Sequence, residues 1–336
     1  MTENRMKLSL NPIFSSHMVF AANKPIRIYG EGCGSAEIDF AGYHDTVVCE
    51  GGVWQLQFPP LPYGGPYTLT LRQQNDVYEI NDIYIGEVYL LAGQSNMEFK
   101  LSESLTPPEK WHSNPMLRLF SPNRIAGGDR YLPEDGWVCA KKEEVGDWSA
   151  IGYLTGDLIC QKKGIAVGLI SCYQGASVIE SWVPAGTFEN AGIVLDKKEK
   201  FPDHFESTYA AWNGEGILYD FLLSQIQPFS INTVLWYQGE SDCSVAEAKV
   251  YAKELCQLID VWRNGFQDPE LAFMIIQLAG NLEPERTGWK LIQKAQTEVP
   301  RLRTNVQTVI CADICEDYEI HPRTKEKLAE RMAGML

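Results

Sequence analysis

Residues 89–99 read YLLAGQSNMEF, and the division of this stretch decides the fold. Four apolar residues ending at Ala92 predict the end of a buried strand, and Asn96 to Phe99 can begin a helix, which puts Ser95 on a sharp strand-to-helix turn. A serine placed this way is a nucleophile candidate, because the turn presents its hydroxyl at the end of a sheet. The structural alternative is a helix cap, in which the same hydroxyl satisfies a free backbone N–H.

Outward from this turn the chain has two textures. Up to about residue 83 it consists of short alternating runs, PIRIYGEG (25–32), SAEIDFAG (35–42), VWQLQFPP (53–60), YTLTLRQ (67–73) and DVYEIND (76–82), separated by Gly, Pro, Asn and Asp. Evenly spaced short strands of this kind predict a β-sandwich over 1–83. From residue 84 to 336, apolar strands alternate with helical patterns such as WSAIGYLTGDLICQKKG (148–164) and VAEAKVYAKELCQLIDVWRNGF (245–266). That alternation predicts a parallel sheet covered by helices.

The strand candidates in this second region are IGEVYLLA (85–92), GIAVGLIS (164–171), NTVLWY (232–237), LAFMIIQL (271–278) and QTVICADI (307–314). Small or polar residues follow each of them: Gly93 to Asn96, Tyr173 to Ser177, Gln238 to Ser241, Ala279 to Asn281, and an acidic run up to His321. Ligands of open α/β sheets bind beyond the carboxyl ends of the strands, so these tails are expected on one rim.

Composition sets bounds on function. A chain of 336 residues, 45% of them apolar, can fill a substantial core. The formal charge of −15 disfavours nucleic acid and anionic membrane surfaces as partners. There is no apolar run long enough for a membrane span, and MTENRMKLSLNPIF lacks the apolar stretch of a secretory signal, so a cytoplasmic location is expected. The nine cysteines are odd in number and scattered, which favours free thiols. Only Cys311 and Cys315 are close, without a second pair at zinc-site spacing, so neither a metal nor another cofactor is expected.

A serine hydroxyl needs a neighbouring base, most often a histidine oriented by a carboxylate. Of the five histidines, His17 and His44 lie in the β-rich region, and His112 and His204 lie in irregular segments. His321 follows the last strand candidate, ahead of a helix that Pro322 can start, and shares the rim of Ser95. Acyl transfer also needs donors for the developing oxyanion. The backbone N–H groups of Ser95 and Gly175 and the side-chain amide of Gln238 come from three strand tails and can supply them. Trp182, Trp236 and Tyr237 lie beside these donors, either as a wall against the acyl group or as core.

Four blocks, GQSNM around Ser95, GLISCYQGASVIESW around Gly175, VLWYQGESD around Gln238 and EIHPRTK around His321, resemble the SGNH hydrolase superfamily, and within it the sialate O-acetylesterase-like carbohydrate esterases. Further similarity in IFSSHMVF, GGPYTLTL, VWRNGF and IIQLAG extends the likeness over nearly the whole chain. The resemblance implies a three-layer α/β/α, flavodoxin-like hydrolase domain with a parallel sheet (84–336), preceded by a small β-sandwich (1–83). It implies a serine esterase that removes acetyl groups from a mono- or oligosaccharide through an acetyl-enzyme. Ser95 is then the nucleophile, His321 the base, and Ser95, Gly175 and Gln238 the oxyanion hole. Gln94, Asn96, Glu240 and Trp182 are candidate substrate contacts, with loop ordering as the alternative for Glu240.

The chain departs from the family pattern in the acid. Tyr318 stands three residues before the histidine, where the superfamily often has Asp, and the common DIHP is EIHP, which makes Glu319 the matching carboxylate and Asp317 a near alternative. The common LYNGM reads LYDFL at 218–222, putting Asp220 and Phe221 at a usually small polar edge. A general short-chain esterase or thioesterase on the same scaffold and a non-catalytic carbohydrate-binding protein are the competing readings. For a sialate substrate, Arg118 or Arg124 is the candidate partner of the sugar carboxylate.

Overall fold

The strand that carries the 89–99 stretch is far longer than its apolar run. In a computed structural model, which describes residues 7–122, 136–195, 208–280 and 287–336, it extends without a break from Asp76 to Gly93. Seven strands precede it: β1 (Ser9–Leu10), β2 (Val19–Ala21), β3 (Ile26–Glu31), β4 (Gly34–Phe40), β5 (Tyr43–Cys49), β6 (Val53–Phe58) and β7 (Gly64–Gln73). The long strand is β8. Its first half pairs antiparallel with β7, and β7 continues through β4 to β5, while β1, β3 and β6 form a separate three-stranded sheet. The polar run of residues 43–49, which the alternation did not single out, forms β5 because it closes a hairpin on β4.

The second half of β8 is the centre of a different sheet. Six strands follow: β9 (Asn114–Phe120), β10 (Trp137–Ala140), β11 (Val167–Tyr173), β12 (Thr233–Tyr237), β13 (Ala272–Ile276) and β14 (Val306–Val309). Their order is β10-β9-β11-β8-β12-β13-β14, and every pair from β9 to β14 is parallel, with β10 antiparallel at the edge. The architecture is thus mixed α/β with a large mixed sheet. The expected boundary at 83/84 falls inside β8, where one backbone serves both sheets.

Local chemistry bounds the helices. Ser149 caps the helix Ala150–Lys163 by accepting from the Gly152 N–H at 3.2 Å, and Gly164 ends it in the left-handed conformation. Ser244 and Glu247 form a capping box on the helix Val245–Gly265. The last helix, Glu326–Met335, starts four residues later than Pro322 suggested. The core beneath the sheet contains Trp182, Trp236 and Trp262, which pack edge to face or tilted with centroids 5.6–6.3 Å apart.

Gly93 terminates β8 with φ +123°, and a Cβ on it would collide with the Tyr237 backbone of β12. Gly42 also has positive φ, but open space where its Cβ would be. Gly42→Ala is therefore expected to cost about 1 kcal/mol from backbone strain alone, and Gly93→Ala more than about 3 kcal/mol. Urea unfolding of both variants checks this; equal losses would remove the close approach as the constraint.

Candidate active site

Three strand ends converge at the turn after Gly93. The Gln94 N–H donates to Tyr237 O of β12 and the Gln174 N–H to Gly93 O, both at 2.9 Å, so the turn is held between the ends of β12 and β11. The short helix Ser95–Glu98 begins directly afterwards, with Gln94 at the cap position. Ser95 is therefore free of capping duty. Its Oγ lies 2.8 Å from His321 Nε2, across 226 residues of sequence. Ser95 and His321 are both half-buried.

His321 is steadied on several sides. Its backbone N–H donates to Glu319 Oε1 at 3.2 Å, so the described contact of Glu319 is with the main chain of the histidine. The Phe99 ring stacks on the imidazole, with centroids 6.1 Å apart and planes at 27°. Asp317 and Tyr318 form the turn before it, with Tyr318 in the left-handed conformation at φ +60°. The side chain of Asp317 lies against Gly280, its Oδ1 3.1 Å from where a Cβ on that glycine would stand.

Below the pair is a layer of buried polar side chains. Asn96 Nδ2 donates to Glu240 Oε1 and to Ile320 O, each at 2.7 Å, and its Oδ1 accepts from Lys325 Nζ at 2.8 Å. Gln94 Oε1 accepts from the backbone N–H groups of Gly239 and Ser241 at 3.4 and 3.3 Å. Trp182 Nε1 donates to Ser177 Oγ at 3.0 Å. Gln94, Asn96, Glu240 and Trp182 are all at most 2% exposed. Expected as candidate substrate contacts, they are hydrogen-bonded within the fold and hold the loops that carry the rim. Trp236 and Tyr237 are likewise fully buried, in line with the core alternative.

Gln238, expected as an oxyanion donor, is tied into the fold. Its Nε2 donates to Ser177 O at 2.9 Å and to Asp242 Oδ2, while its Oε1 accepts from the Tyr251 hydroxyl at 2.7 Å. Both amide hydrogens are engaged, and the side chain is fully buried. Burial and the neighbouring Glu180 push the Asp242 carboxyl well above its ordinary range. Gly175 is better placed, half-buried, and its N–H donates to Glu98 Oε2 at 2.9 Å. Trp212 Nε1 holds Gly175 O at 3.0 Å, and Asn213 Nδ2 holds Ala176 O at 2.9 Å.

The other described histidines pair elsewhere, His17 with Asp82, His44 with Asp39 and His112 with Asp157; His204 and Arg124 lie outside the described residues. Arg118 is buried, with Nη2 2.9 Å from Asp82 Oδ2 and its guanidinium 4.5 Å from the Tyr84 ring centroid. It is thus not available to a sugar carboxylate. Among the described residues, His17, Asp82 and Cys139 bring three metal-ligating atoms within 4.8 Å of one another, and Arg118 pairs with the Asp82 of that group.

The family model for carbohydrate esterases described as sialic acid-specific acetylesterase matches residues 85–336. The chain belongs to this family. Human sialate O-acetylesterase is 24% identical over 324 residues, covering 85% of this chain and 60% of its own length, and the mouse enzyme of the same name is 23% identical over 83% and 62%. The chain thus spans about 60% of the length of these relatives. A solved carbohydrate acetylesterase from Xanthomonas citri superposes with a TM-score of 0.82 at 23% identity, over 97% of this chain and 74% of the other, which shows a shared fold.

Within this carbohydrate esterase family member, sequence reasoning missed Glu98, Trp212, Asn213 and Lys325. Asn213 had a signal in the glycine that follows it; Glu98, Trp212 and Lys325 had none. Gln238→Met is expected to cost about 1–3 kcal/mol of stability by stranding Asp242 and Tyr251, with kcat of the folded enzyme within about tenfold of the parent. A loss of about 10²–10³ in kcat at unchanged stability, the signature of a missing oxyanion donor, would reinstate it in the hole.

Proposed function

We propose that the chain is a serine esterase that removes O-acetyl groups from a carbohydrate. The observation that carries this is the 2.8 Å contact between Ser95 Oγ and His321 Nε2 on the rim of a chain of this family. Ser95 attacks the acetyl carbonyl as His321 takes its proton, and the protonated imidazole returns that proton to the departing sugar hydroxyl. Water, activated by His321, then releases acetate from the acetyl-enzyme. The developing oxyanion is received by the N–H groups of Ser95 and Gly175, the carbonyl oxygen replacing the Glu98 carboxylate at Gly175. Support for the Ser95 donor is its place in the first helical turn, where backbone N–H groups have no intrahelical acceptor.

For the orienting acid, the geometry favours Asp317 over the expected Glu319. Glu319 accepts the backbone N–H of His321, and the left-handed turn at Tyr318 is what Asp317 needs to face back toward the imidazole. In architecture, the reading is a three-layer α/β/α hydrolase unit over 84–336 and a small β-sandwich over 1–83, joined through β8. Nine free cysteines support a reducing, cytoplasmic setting.

Ser95→Ala is expected to abolish acetate release from acetylated sugars with unchanged melting, and a fluorophosphonate should label Ser95 alone. Labelling of Ser241 or Ser177 in its place would identify a different nucleophile.

Asp317→Asn should lower kcat by about 10²–10⁴ with little change in KM, the scale of a triad that has lost its correct tautomer. Glu319→Gln should cost roughly tenfold or less, since it contacts the main chain of the base and not the reacting atoms. The reverse ranking would make Glu319 the acid.

A further inference from the structure

Lys325 is a lysine with no exposure to solvent, which is costly for an ammonium unless its charge and donors are fully used. Burial pushes it down to about 8, against the opposing fields of Cys315, Cys311, Glu240 and Glu316. Two sets of contacts use the charge. Nζ donates to Asn96 Oδ1 at 2.8 Å, and it lies 4.9 Å from the ring centroid of Phe99 and 5.4 Å from that of Tyr237. Both lead to the catalytic pair. Asn96 directly follows Ser95 and donates to the carbonyl of Ile320, the residue before His321; Phe99 stacks on the imidazole.

An asparagine amide is nearly symmetric in shape, and its neighbours decide which way round it sits. An ammonium only donates, so Lys325 obliges the amide oxygen of Asn96 to face it. The NH₂ group must then face Ile320 O and Glu240. Turned the other way, Asn96 would set its NH₂ against a cation and its oxygen against a carbonyl and a carboxylate. We propose that Lys325 is a positioning residue that locks the Asn96 amide in the one orientation that ties His321 to the Ser95 turn. The inference rests on the Ser95–His321 esterase reading.

The test compares the intact protein with Lys325→Met, Asn96→Ala and the double variant. Methionine keeps the bulk of lysine without its donors and leaves the buried Asn96 Oδ1 unpaired, so a loss of stability is expected and is separated from the rate effect by the folded fraction. Two rates are measured, hydrolysis of an acetyl ester and labelling of Ser95 by a fluorophosphonate, each divided by the folded fraction at the assay temperature. Each single variant is expected to lose about 10- to 100-fold in kcat and in labelling rate, with KM within about threefold, and the double variant to lose about as much as the more impaired single, because residues that act in series are not additive. A merely structural lysine would lower the folded fraction and leave the rate per folded molecule unchanged, which overturns the proposal, as do losses that multiply in the double variant. If the parent protein is neither labelled at Ser95 nor active on acetyl esters, the esterase reading itself fails and the inference falls with it. Normal labelling of the parent with equal labelling of Lys325→Met defeats the inference alone.

Discussion

The close approach of Gly93 to the backbone of Tyr237 is the constraint on which the rest of the molecule depends. β8 runs in from the N-terminal strands, becomes the centre of the parallel sheet, and must stop where its neighbours stop for their tails to meet. A residue without a side chain lets it end against β12, and hydrogen bonds to β11 and β12 fix the position of the next residue. Ser95 is thus placed by the scaffold, and its own side chain is left for chemistry.

The second determinant is the polar layer below the rim. Gln94, Asn96, Gln238, Glu240, Asp242, Tyr251 and Lys325 are withdrawn from water almost completely, an arrangement tolerable only where the donors and acceptors answer one another. The network joins residues from the Ser95 turn, the β12 tail and the His321 loop, with Asn96 hydrogen-bonded to both of the other segments. Supporting contacts of this kind keep a reactive pair within the narrow tolerance that proton transfer requires.

Much of this was legible in the sequence. The apolar runs located the parallel strands, the Gly93 to Asn96 segment marked the turn that carries Ser95, and position after the final strand distinguished His321, which meets Ser95, from four other histidines that the structure pairs with aspartates or that lie outside the described residues. The limits were set by side-chain direction. The motif residues Gln94, Asn96, Gln238 and Glu240 are adjacent to the rim in sequence, yet their side chains point inward, and a spacing argument cannot tell a residue that touches a ligand from one that holds the loop beneath it. Lys325 was hidden for the opposite reason. It precedes Leu328, Ala329 and Met332 at helical spacing on a buried face, but a lysine there reads as a surface charge until a partner such as Asn96 is known.

The separation of Ser95 and His321 also bears on how the chain matures. The strands flanking β8 are supplied by residues 167–173 and 233–237, and His321 comes 226 positions after Ser95. Contacts this distant in sequence form slowly, because long loops must close before they are rewarded. A nascent chain that has emerged only as far as β12 contains Ser95 and its turn but not the histidine that lies against it in the folded protein. The Ser95–His321 contact therefore forms late, after the sheet around it has closed.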